Sequence, residues 1–331
     1  MKKILITGSE GFIGSHLVEH LIKKNYTVNA LVLYNSFNSA GWLENVEPKL
    51  KKKIKLFFGD IRDSESIEKA IKGCNVVINL AALIGIPYSY VASKSYVETN
   101  INGTLNLLNL SLKHKISKFI HTSTSEVYGS AQYVPINENH PLVAQSPYAA
   151  TKIAADQLVD SYNKSFGLKT IILRPFNTFG PRQSLRAVIP TIINQSLNGK
   201  KILLGNIHSR RDFTYVSETA SAFEKAIKST KSIGHTINLG INKDYSIKEI
   251  IGFIGKILNK KINVNKDFQR IRPYKSEVNR LLSDNKKAKK LLNWKPKSKN
   301  KKDFIKFLEK TIEWYKKNNL SKNSNSKKYV V

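Results

Sequence analysis

The sequence predicts an α/β protein with a doubly wound parallel sheet and a smaller, discontinuous lobe in its C-terminal half. Three observations lead to this fold class. Apolar strand-like runs alternate with helix-like stretches through most of the chain, as in parallel sheets that carry helices on both faces. A glycine-rich turn joins the first such run to the first helix. The length of 331 residues is enough for one large domain and a second, smaller one.

Seven apolar runs give the predicted strands of the sheet. They are residues 3–7, 27–33, 54–58, 76–80, 118–122, 169–173 and, as a late strand, 236–239. Helix-like stretches lie between most of them, including residues 12–24, 99–114 and 147–166. We therefore assign residues 1–175 and 208–242 to the domain that carries the sheet.

The other segments predict a smaller lobe over the carboxyl ends of the strands, made of residues 176–207 and 243–317. In this lobe Ser246 and Glu249 have the spacing of a capping box that opens a helix to Leu258. Residues 303–317 are typical of a last amphipathic helix. Residues 318–328 are Ser, Asn and Lys with a single Leu, and we expect 318–331 to be a disordered tail.

The glycine-rich turn contains Gly8, Gly11 and Gly14, three residues apart, between the first predicted strand and the first predicted helix. Such a strand–turn–helix unit presents backbone N–H groups and a helix dipole to a diphosphate. Its context predicts a dinucleotide site. The predicted contacts are Gly8, Gly11, Phe12, Ile13 and Gly14.

A second motif places Tyr148 and Lys152 four residues apart on one face of a predicted helix. A tyrosine ionises at a pKa of ~10 and needs help to act as a base near neutrality. A neighbouring lysine cation and an oxidised nicotinamide both favour the phenolate. The alternative is a packing tyrosine beside a surface lysine. Following a dinucleotide motif, the pair predicts an enzyme.

With these two motifs the chain resembles the short-chain dehydrogenase/reductase superfamily in its extended form, which acts on nucleotide sugars. The resemblance runs from about Lys2 to Tyr315 and includes residues 59–63, 79–82, 174–177, 180–182 and 211–216. Within the superfamily the chain is similar to the 4,6-dehydratases, above all to those of nucleotide-linked N-acetylglucosamine in legionaminic-acid-type pathways. Residues 31–39, 86–90 and 272–278 support this narrower match.

The resemblance implies further catalytic residues after the fifth predicted strand, at the sheet edge where ligands bind in open α/β folds. They are Thr124, which orients the sugar O4, Ser125, and Glu126, which removes the C5 proton. The alternative for Glu126 is a helix-start carboxylate favoured by the dipole. Many dehydratases of the family carry Asp-Glu where this chain has Ser125-Glu126. The identity of the acid that protonates the C6 leaving group is therefore left open.

The resemblance also implies binding residues. Further cofactor contacts would be Asn35, Ser36, Asp60, Ile61, Leu80, Ala81, Ala82, Tyr148 and Lys152. Substrate contacts would be Tyr88, Asn177, Arg186, Arg211 and Arg272. The planar guanidinium fork suits a diphosphate, although any single arginine in a basic chain is more often a surface residue. For Asp60 the alternative is a turn or cap role.

The choice between NAD and NADP is predicted from the residues after the second strand. An NAD site usually has an acid there for the ribose hydroxyls, and an NADP site has an arginine for the 2′-phosphate. Residues 31–36 contain neither, and Asn35 and Ser36 could hydrogen-bond to either group. The missing acid slightly favours NADP over NAD.

Composition narrows the possible classes. No apolar run approaches the ~20 residues of a membrane span, the first predicted strand begins at Lys3, and Cys74 is the single cysteine. We expect a cytoplasmic protein without a bound metal. The formal charge of +31 comes from lysines spread along the chain. Aromatic residues do not alternate with them as in a single-strand binder, so we expect no specific nucleic-acid partner; the positive field helps to attract a nucleotide diphosphate.

The predicted function is 4,6-dehydration of a nucleotide-activated hexose, with NDP-N-acetylglucosamine as the favoured substrate. Two alternatives on the same scaffold are a nucleotide-sugar 4-epimerase and a decarboxylase of nucleotide-linked glucuronic acid. An alternative of another class is a non-catalytic relative that binds a dinucleotide or RNA. Leu105, Leu108 and Leu112 form an apolar stripe, which together with the two long helices predicts a homodimer.

Overall fold

The structure, a computed structural model, describes residues 2–199, 201–270, 273–298 and 300–318. Strands are numbered β1 to β13 and helices α1 to α12 along this part of the chain. The strands of the larger sheet are β1 (Lys3–Thr7), β2 (Thr27–Leu33), β3 (Ile54–Gly59), β4 (Val76–Asn79), β5 (Lys118–Thr122), β6 (Thr170–Pro175) and β10 (His235–Leu239). All neighbours are parallel, in the order β10-β6-β5-β4-β1-β2-β3. The predicted doubly wound sheet is confirmed.

Helices cover both faces of this sheet. They are α1 (Phe12–Lys23), α3 (Ser64–Ile71), α6 (Gly103–Lys113), α7 (Pro147–Phe166), α9 (Val216–Lys228) and α11 (Lys286–Leu292). The short helix α2 (Pro48–Lys51) packs beside α1, and α4 (Ile86–Val91) and α5 (Ser93–Tyr96) pack beside α7. The hydrophobic core on one face includes residues of α1 and α9, and the core on the other face includes residues of α3, α6 and α7. Parallel strands with apolar side chains on both faces require this double cover.

The helix expected over residues 99–114 is α6, preceded by a π-helical turn at Val97–Asn102. Its leucine stripe faces the sheet of its own chain. Leu108 is fully buried in the core, and Leu105 and Leu112 pack against the same cluster. The stripe therefore gives no support for a homodimer, which stays a prediction.

The remaining elements form smaller sheets with their own helices. They are β7 (Asn177–Phe179), β8 (Ile202–Leu204), β9 (Arg210–Tyr215), β11 (Asp244–Ser246), β12 (Val264–Lys266), β13 (Arg280–Leu281), α8 (Val188–Leu197), α10 (Ile247–Leu258) and α12 (Lys301–Lys317). Strand β9 pairs with β7, β11 and β13, and β8 pairs with β12. A third hydrophobic cluster lies among α8, α10 and α12, and the predicted capping box of Ser246 and Glu249 begins α10.

Two features bear on the predicted domain boundaries. The boundary at residue 208 places β9 in the domain of the larger sheet, but β9 pairs with strands of the smaller sheet. Trp294, expected in the smaller lobe, is buried in the core beside α1 and α9. The division into two lobes stays a prediction, and residues 319–331 of the predicted tail lie outside the described residues.

Candidate active site

The glycine turn begins at the carboxyl end of β1. Gly8 has φ +64°, and a Cβ atom on it would lie 2.9 Å from the backbone of Ala81. A Cβ atom on Gly14 would lie 2.1 Å from the carbonyl oxygen of Gly8. These two glycines are therefore required by the turn and by the close packing of α1.

Gly11 differs, since a Cβ atom there would meet the carbonyl oxygen of Gly8 at 3.4 Å, an ordinary contact. Gly11 is the N-cap of α1 and supplies no side-chain hydrogen bond, and the first turn of the helix contains no acidic residue. The N–H groups at the start of α1 are thus open to an anion. These features fit the diphosphate of a dinucleotide.

The end of β4 lies directly against this turn. The Thr7 hydroxyl accepts hydrogen bonds from the N–H groups of Leu80 at 3.2 Å and Ala81 at 3.1 Å, and it donates to Asn79 Oδ1 at 2.8 Å. Leu80, Ala81 and the following Ala82 are partly exposed. The predicted cofactor contacts of this segment therefore stand beside the glycine turn.

Other predicted cofactor residues have roles within the protein itself. Asp60 accepts two hydrogen bonds from the Arg62 side chain, at 2.9 and 2.6 Å, and one from its backbone N–H. Ile61 is buried in the core. Asn35 donates to the carbonyl oxygens of Leu33 and Ser39 and accepts from the Ser39 N–H. The Asn35 side chain thus closes its own loop, while Ser36 is exposed.

Glu10 is a residue of the glycine turn that the sequence analysis missed. Its Oε1 atom accepts a hydrogen bond of 3.1 Å from the N–H of Leu33, the last residue of β2. Burial raises the pKa of Glu10, and the backbone N–H groups of Glu10 and Leu33 oppose this rise. A carboxylate therefore does lie at the end of the second strand, and the premise behind the NADP preference is wrong.

Tyr148 enters the site from the first turn of α7. This helix has the predicted bounds because Ser146 caps it, accepting a hydrogen bond of 3.2 Å from the Ala149 N–H, and Pro147 begins it. The Tyr148 side chain is buried, and its hydroxyl is hydrogen-bonded to the Thr124 side chain. Burial raises the pKa of Tyr148, the Thr124 hydrogen bond opposes the rise, and the nearby Glu126 carboxylate adds to it.

Thr124 and Glu126 are positioned by a short 3-10 helix, Ser125–Tyr128, that follows β5. The Thr124 hydroxyl caps this helix and accepts from the Glu126 N–H at 3.2 Å. Glu126 is partly exposed and Ser125 is buried. Glu126 thus lies in the first turn of a helix, as the alternative requires, and its carboxylate is close enough to Tyr148 to act on the ionisation of the phenol.

Lys152 lies one turn further along α7 and is 3% exposed. Its Nζ atom donates to the carbonyl oxygen of Thr122 at 2.7 Å and lies 3.3 Å from His121 Nε2. Burial lowers the pKa of Lys152 to about 8, and the Asp156 carboxylate opposes this change. Burial is the largest influence on the pKa of Tyr148 and raises it. The predicted stabilisation of the Tyr148 phenolate by Lys152 and an oxidised nicotinamide stays a prediction.

Behind Lys152 is a buried polar network that was also missed. Asp156 Oδ2 accepts from Arg174 Nε at 3.1 Å, from Arg174 Nη2 at 2.9 Å and from the Ser123 hydroxyl at 2.7 Å. Arg174 Nη1 donates to the Tyr128 hydroxyl at 2.9 Å. His121 Nε2 lies 3.6 Å from Asp156 Oδ1, and burial lowers the His121 pKa well below its usual value. The network holds the buried side chains next to Lys152 in fixed positions.

The predicted substrate residues are more dispersed. Tyr88 is exposed, and its ring centroid lies 6.1 Å from that of Tyr96. The ring centroid of Tyr96 lies in turn 6.2 Å from that of Tyr148. Arg186 is exposed and near enough to Tyr96 to lower its pKa against the effect of burial. Asn177 is partly buried, and its Oδ1 atom has no hydrogen-bond partner within the described chain.

Two further arginines were predicted to bind the substrate diphosphate. Arg211 is buried in β9, where its Nη1 atom donates to the carbonyl oxygen of Arg210 at 2.9 Å. Arg272 lies outside the described residues. Within the described ranges, no group of three or more His, Cys, Asp or Glu residues could hold a metal ion, and no helix is both long and apolar enough to cross a membrane.

Comparison with known proteins identifies the family. The sequence profile described as GDP-mannose 4,6 dehydratase matches residues 5–305. The chain belongs to this family. Its relatives are nucleotide-sugar 4,6-dehydratases and epimerases of the short-chain dehydrogenase/reductase superfamily.

Three relatives illustrate both activities of the family. The dTDP-glucose 4,6-dehydratase of an Actinoplanes species is 34% identical over 244 residues, which cover 72% of this chain and 76% of that protein. The structure of a UDP-N-acetylglucosamine 4-epimerase from Methanobrevibacter ruminantium in complex with UDP-N-acetylmuramic acid has a TM-score of 0.86 and 31% identity over 96% of this chain and 99% of its own. The structure of dTDP-glucose 4,6-dehydratase from Bacillus anthracis in complex with NAD has a TM-score of 0.84. It is 28% identical and covers 97% of this chain and 98% of its own.

Proposed function

We propose that this family member catalyses 4,6-dehydration of a nucleotide-activated hexose, favouring NDP-N-acetylglucosamine, with a bound NAD-type dinucleotide. The observation that carries the proposal is that the 3-10 helix with Glu126 packs against α7, the helix with Tyr148, so that the carboxylate is near enough to the phenol to act on its ionisation. Dehydration across C5 and C6 requires two acid–base groups, one for the O4 proton and one for the C5 proton. A 4-epimerase needs no base for the C5 proton.

Tyr148 would accept the O4 proton, and the Thr124 hydroxyl, hydrogen-bonded to Tyr148, would orient O4 toward it. The dinucleotide, when bound, would accept the C4 hydride, favour the tyrosinate through its nicotinamide charge, and return the hydride to C6. Lys152 is held below Tyr148 by Thr122 and His121, and its ammonium would stabilise the phenolate.

Glu126 would act after the C4 ketone has formed. The ketone acidifies the C5 proton, and the Glu126 carboxylate removes it. The C6 hydroxyl takes up a proton and leaves as water, and C5 is protonated again, by Glu126 or from solvent, as hydride returns to C6. The product is a 4-keto-6-deoxy sugar, which would feed deoxy-sugar or nonulosonate synthesis. On the substrate side, Arg186, Arg211 and Arg272 would bind the diphosphate, with Asn177 supplying an amide whose Oδ1 atom is unpartnered among the described residues.

A 4-epimerase is the second candidate, and one observation favours it. Ser125 stands where many dehydratases of the family carry an aspartate, and Ser125 is buried beside Glu126. A serine is a far weaker acid than a carboxylic acid for protonating the C6 leaving group. A decarboxylase of nucleotide-linked glucuronic acid is a third outcome on the same scaffold, since some of these enzymes share the Thr-Ser-Glu triplet.

The test is incubation of the purified chain with a panel of UDP-, GDP-, CDP- and dTDP-hexoses, read by mass spectrometry. Loss of water from the sugar is the expected result. An unchanged mass with a new 4-epimer would contradict dehydration and indicate an epimerase, and loss of carbon dioxide would indicate a decarboxylase. Lack of turnover with every nucleotide sugar would revive the non-catalytic alternative.

A further inference from the structure

We infer that the Glu10 carboxylate makes the dinucleotide site of this chain selective for NAD over NADP. The inference rests on the part of the proposed function that concerns the dinucleotide, and it does not depend on 4,6-dehydration. It replaces the sequence-based preference for NADP, whose premise was the lack of a carboxylate at the end of the second strand.

The position of the carboxylate carries the inference. Glu10 lies in the glycine turn, and its Oε1 atom accepts from the N–H of Leu33 at 3.1 Å. Leu33 ends β2, and this strand end is where dinucleotide-binding folds place the acid that binds the ribose hydroxyls. The residues after Leu33 contain no acid before Glu44. Glu10 therefore brings the missing carboxylate to this strand end from the neighbouring turn.

Glu10 is held firmly in this place. The Trp42 N–H donates to the Glu10 carbonyl oxygen at 3.0 Å. Gly41, at φ +55°, packs so closely that a Cβ atom on it would lie 2.9 Å from Glu10 Cβ. The Oε2 atom is buried and accepts no hydrogen bond from another residue that the structure describes. The site thus has a fixed carboxylate with one acceptor oxygen unused by its neighbours.

The segment that follows β2 provides no cation for a 2′-phosphate. The chain contains 55 Lys and Arg residues, yet none lies between Asn25 and Pro48. Arg62, after the neighbouring strand β3, is paired with Asp60 at 2.6 Å. In so basic a protein, a long cation-free segment at this place is a second, independent feature that disfavours a phosphate.

These features affect the two dinucleotides in opposite ways. A ribose hydroxyl can donate a hydrogen bond to a carboxylate, whereas a phosphate dianion offers only acceptors. A phosphate with about two negative charges beside a buried carboxylate is repelled. Selectivity would thus come from a repulsive element as much as from an attractive one.

The experiment measures binding, so that it does not depend on turnover. The full chain is stripped of bound nucleotide and titrated with NAD⁺ and with NADP⁺ by isothermal calorimetry. Three proteins are compared: wild type, Glu10→Gln, which keeps an Oε1 acceptor for Leu33, and Glu47→Gln. Glu47 is exposed and precedes α2, so its variant controls for the loss of one negative charge in the same segment.

We expect wild type to bind NAD⁺ at least about tenfold more tightly than NADP⁺, as repulsion between like charges implies. Glu10→Gln is expected to bring this ratio close to one, mainly by tighter NADP⁺ binding, and Glu47→Gln is expected to leave it unchanged. Circular dichroism checks folding, and Glu10→Ala serves as the second variant where Glu10→Gln does not fold.

Equal binding of the two dinucleotides by wild type, or tighter NADP⁺ binding, would overturn the inference. So would an unchanged ratio in a folded Glu10 variant. If neither dinucleotide binds, the dinucleotide part of the proposed function fails together with the inference. If NAD⁺ selectivity holds but no nucleotide sugar loses water, only the proposed dehydration fails.

Discussion

The candidate active site has a buried part and a more exposed part, and the two hold their polar side chains in different ways. Tyr148 and Lys152 are 7% and 3% exposed, and Lys152 lies beside a buried network built around Asp156. In the more exposed part, Glu126 is partly exposed and Arg186 is exposed. The buried part is therefore held by a connected polar network, whereas the side chains of the more exposed part are less constrained.

This difference suggests how one family can contain both dehydratases and epimerases. We expect the buried part to perform the oxidation at C4 that both reactions share. The residues that we propose to decide the fate of the 4-keto sugar, Ser125 and Glu126, lie on a four-residue 3-10 helix. A change from one reaction to the other then requires few substitutions and no repacking of the core.

The largest expected effect is on the shared step. Tyr148→Phe removes the proton acceptor and is expected to slow reduction of the cofactor by about 10²–10⁴-fold. The rate is read as near-ultraviolet absorbance of reduced nicotinamide after mixing with a nucleotide sugar. Tyr162→Phe, on the same helix with its hydroxyl bonded to Asn109, is the control and is expected to reduce normally. A Tyr148→Phe variant as fast as wild type would remove the tyrosine from the mechanism.

The second prediction concerns the stability of the interior. Asp156→Asn leaves the buried guanidinium of Arg174 without its counter-charge, and we expect the free energy of unfolding to fall by about 3 kcal/mol or more. Asp160→Asn, one turn further along α7, breaks an exposed pair with Lys164 and is expected to cost less than about 1 kcal/mol. Denaturant titration measures both. Equal losses would mean that the network does not stabilise the interior.

The smallest effect is on the pH dependence of stability. Burial lowers the pKa of His16 to about 4, and the Arg182 charge adds to this. The unfolded chain binds a proton at His16 near its ordinary pKa of ~6.5, so the stability present above that pH is lost as the pH falls toward 4. His16→Gln is expected to flatten this dependence by up to ~1.4 kcal/mol per pH unit.

Unfolding free energies at pH 7 and pH 5 measure this change. The matched control is His208→Gln, because His208 is exposed and its replacement is expected to leave the pH dependence as in wild type. An unchanged slope in His16→Gln would show that His16 does not hold its depressed pKa in the folded protein.

Much of the fold could be predicted because its signals are local. The bounds of α7 follow from Ser146, Pro147 and the left-handed Gly167 that ends the helix, and the glycine turn follows from three residues. The interacting residue pairs that the sequence analysis missed lie far apart along the chain. Glu10 and Leu33 are 23 positions apart, and Asp156 and Arg174 are 18 apart. Only the fold brings such partners together.

The central claim is that Glu126 is the base that distinguishes dehydration from the steps before it. Glu126→Gln keeps the shape of the side chain but removes its basicity. Rapid mixing with a nucleotide-hexose substrate is expected to give normal C4 oxidation, lasting absorbance of reduced nicotinamide, and loss of water slowed by about 10²–10⁴-fold. Normal turnover by Glu126→Gln, or exchange of solvent deuterium into C5 at the wild-type rate, would contradict the claim.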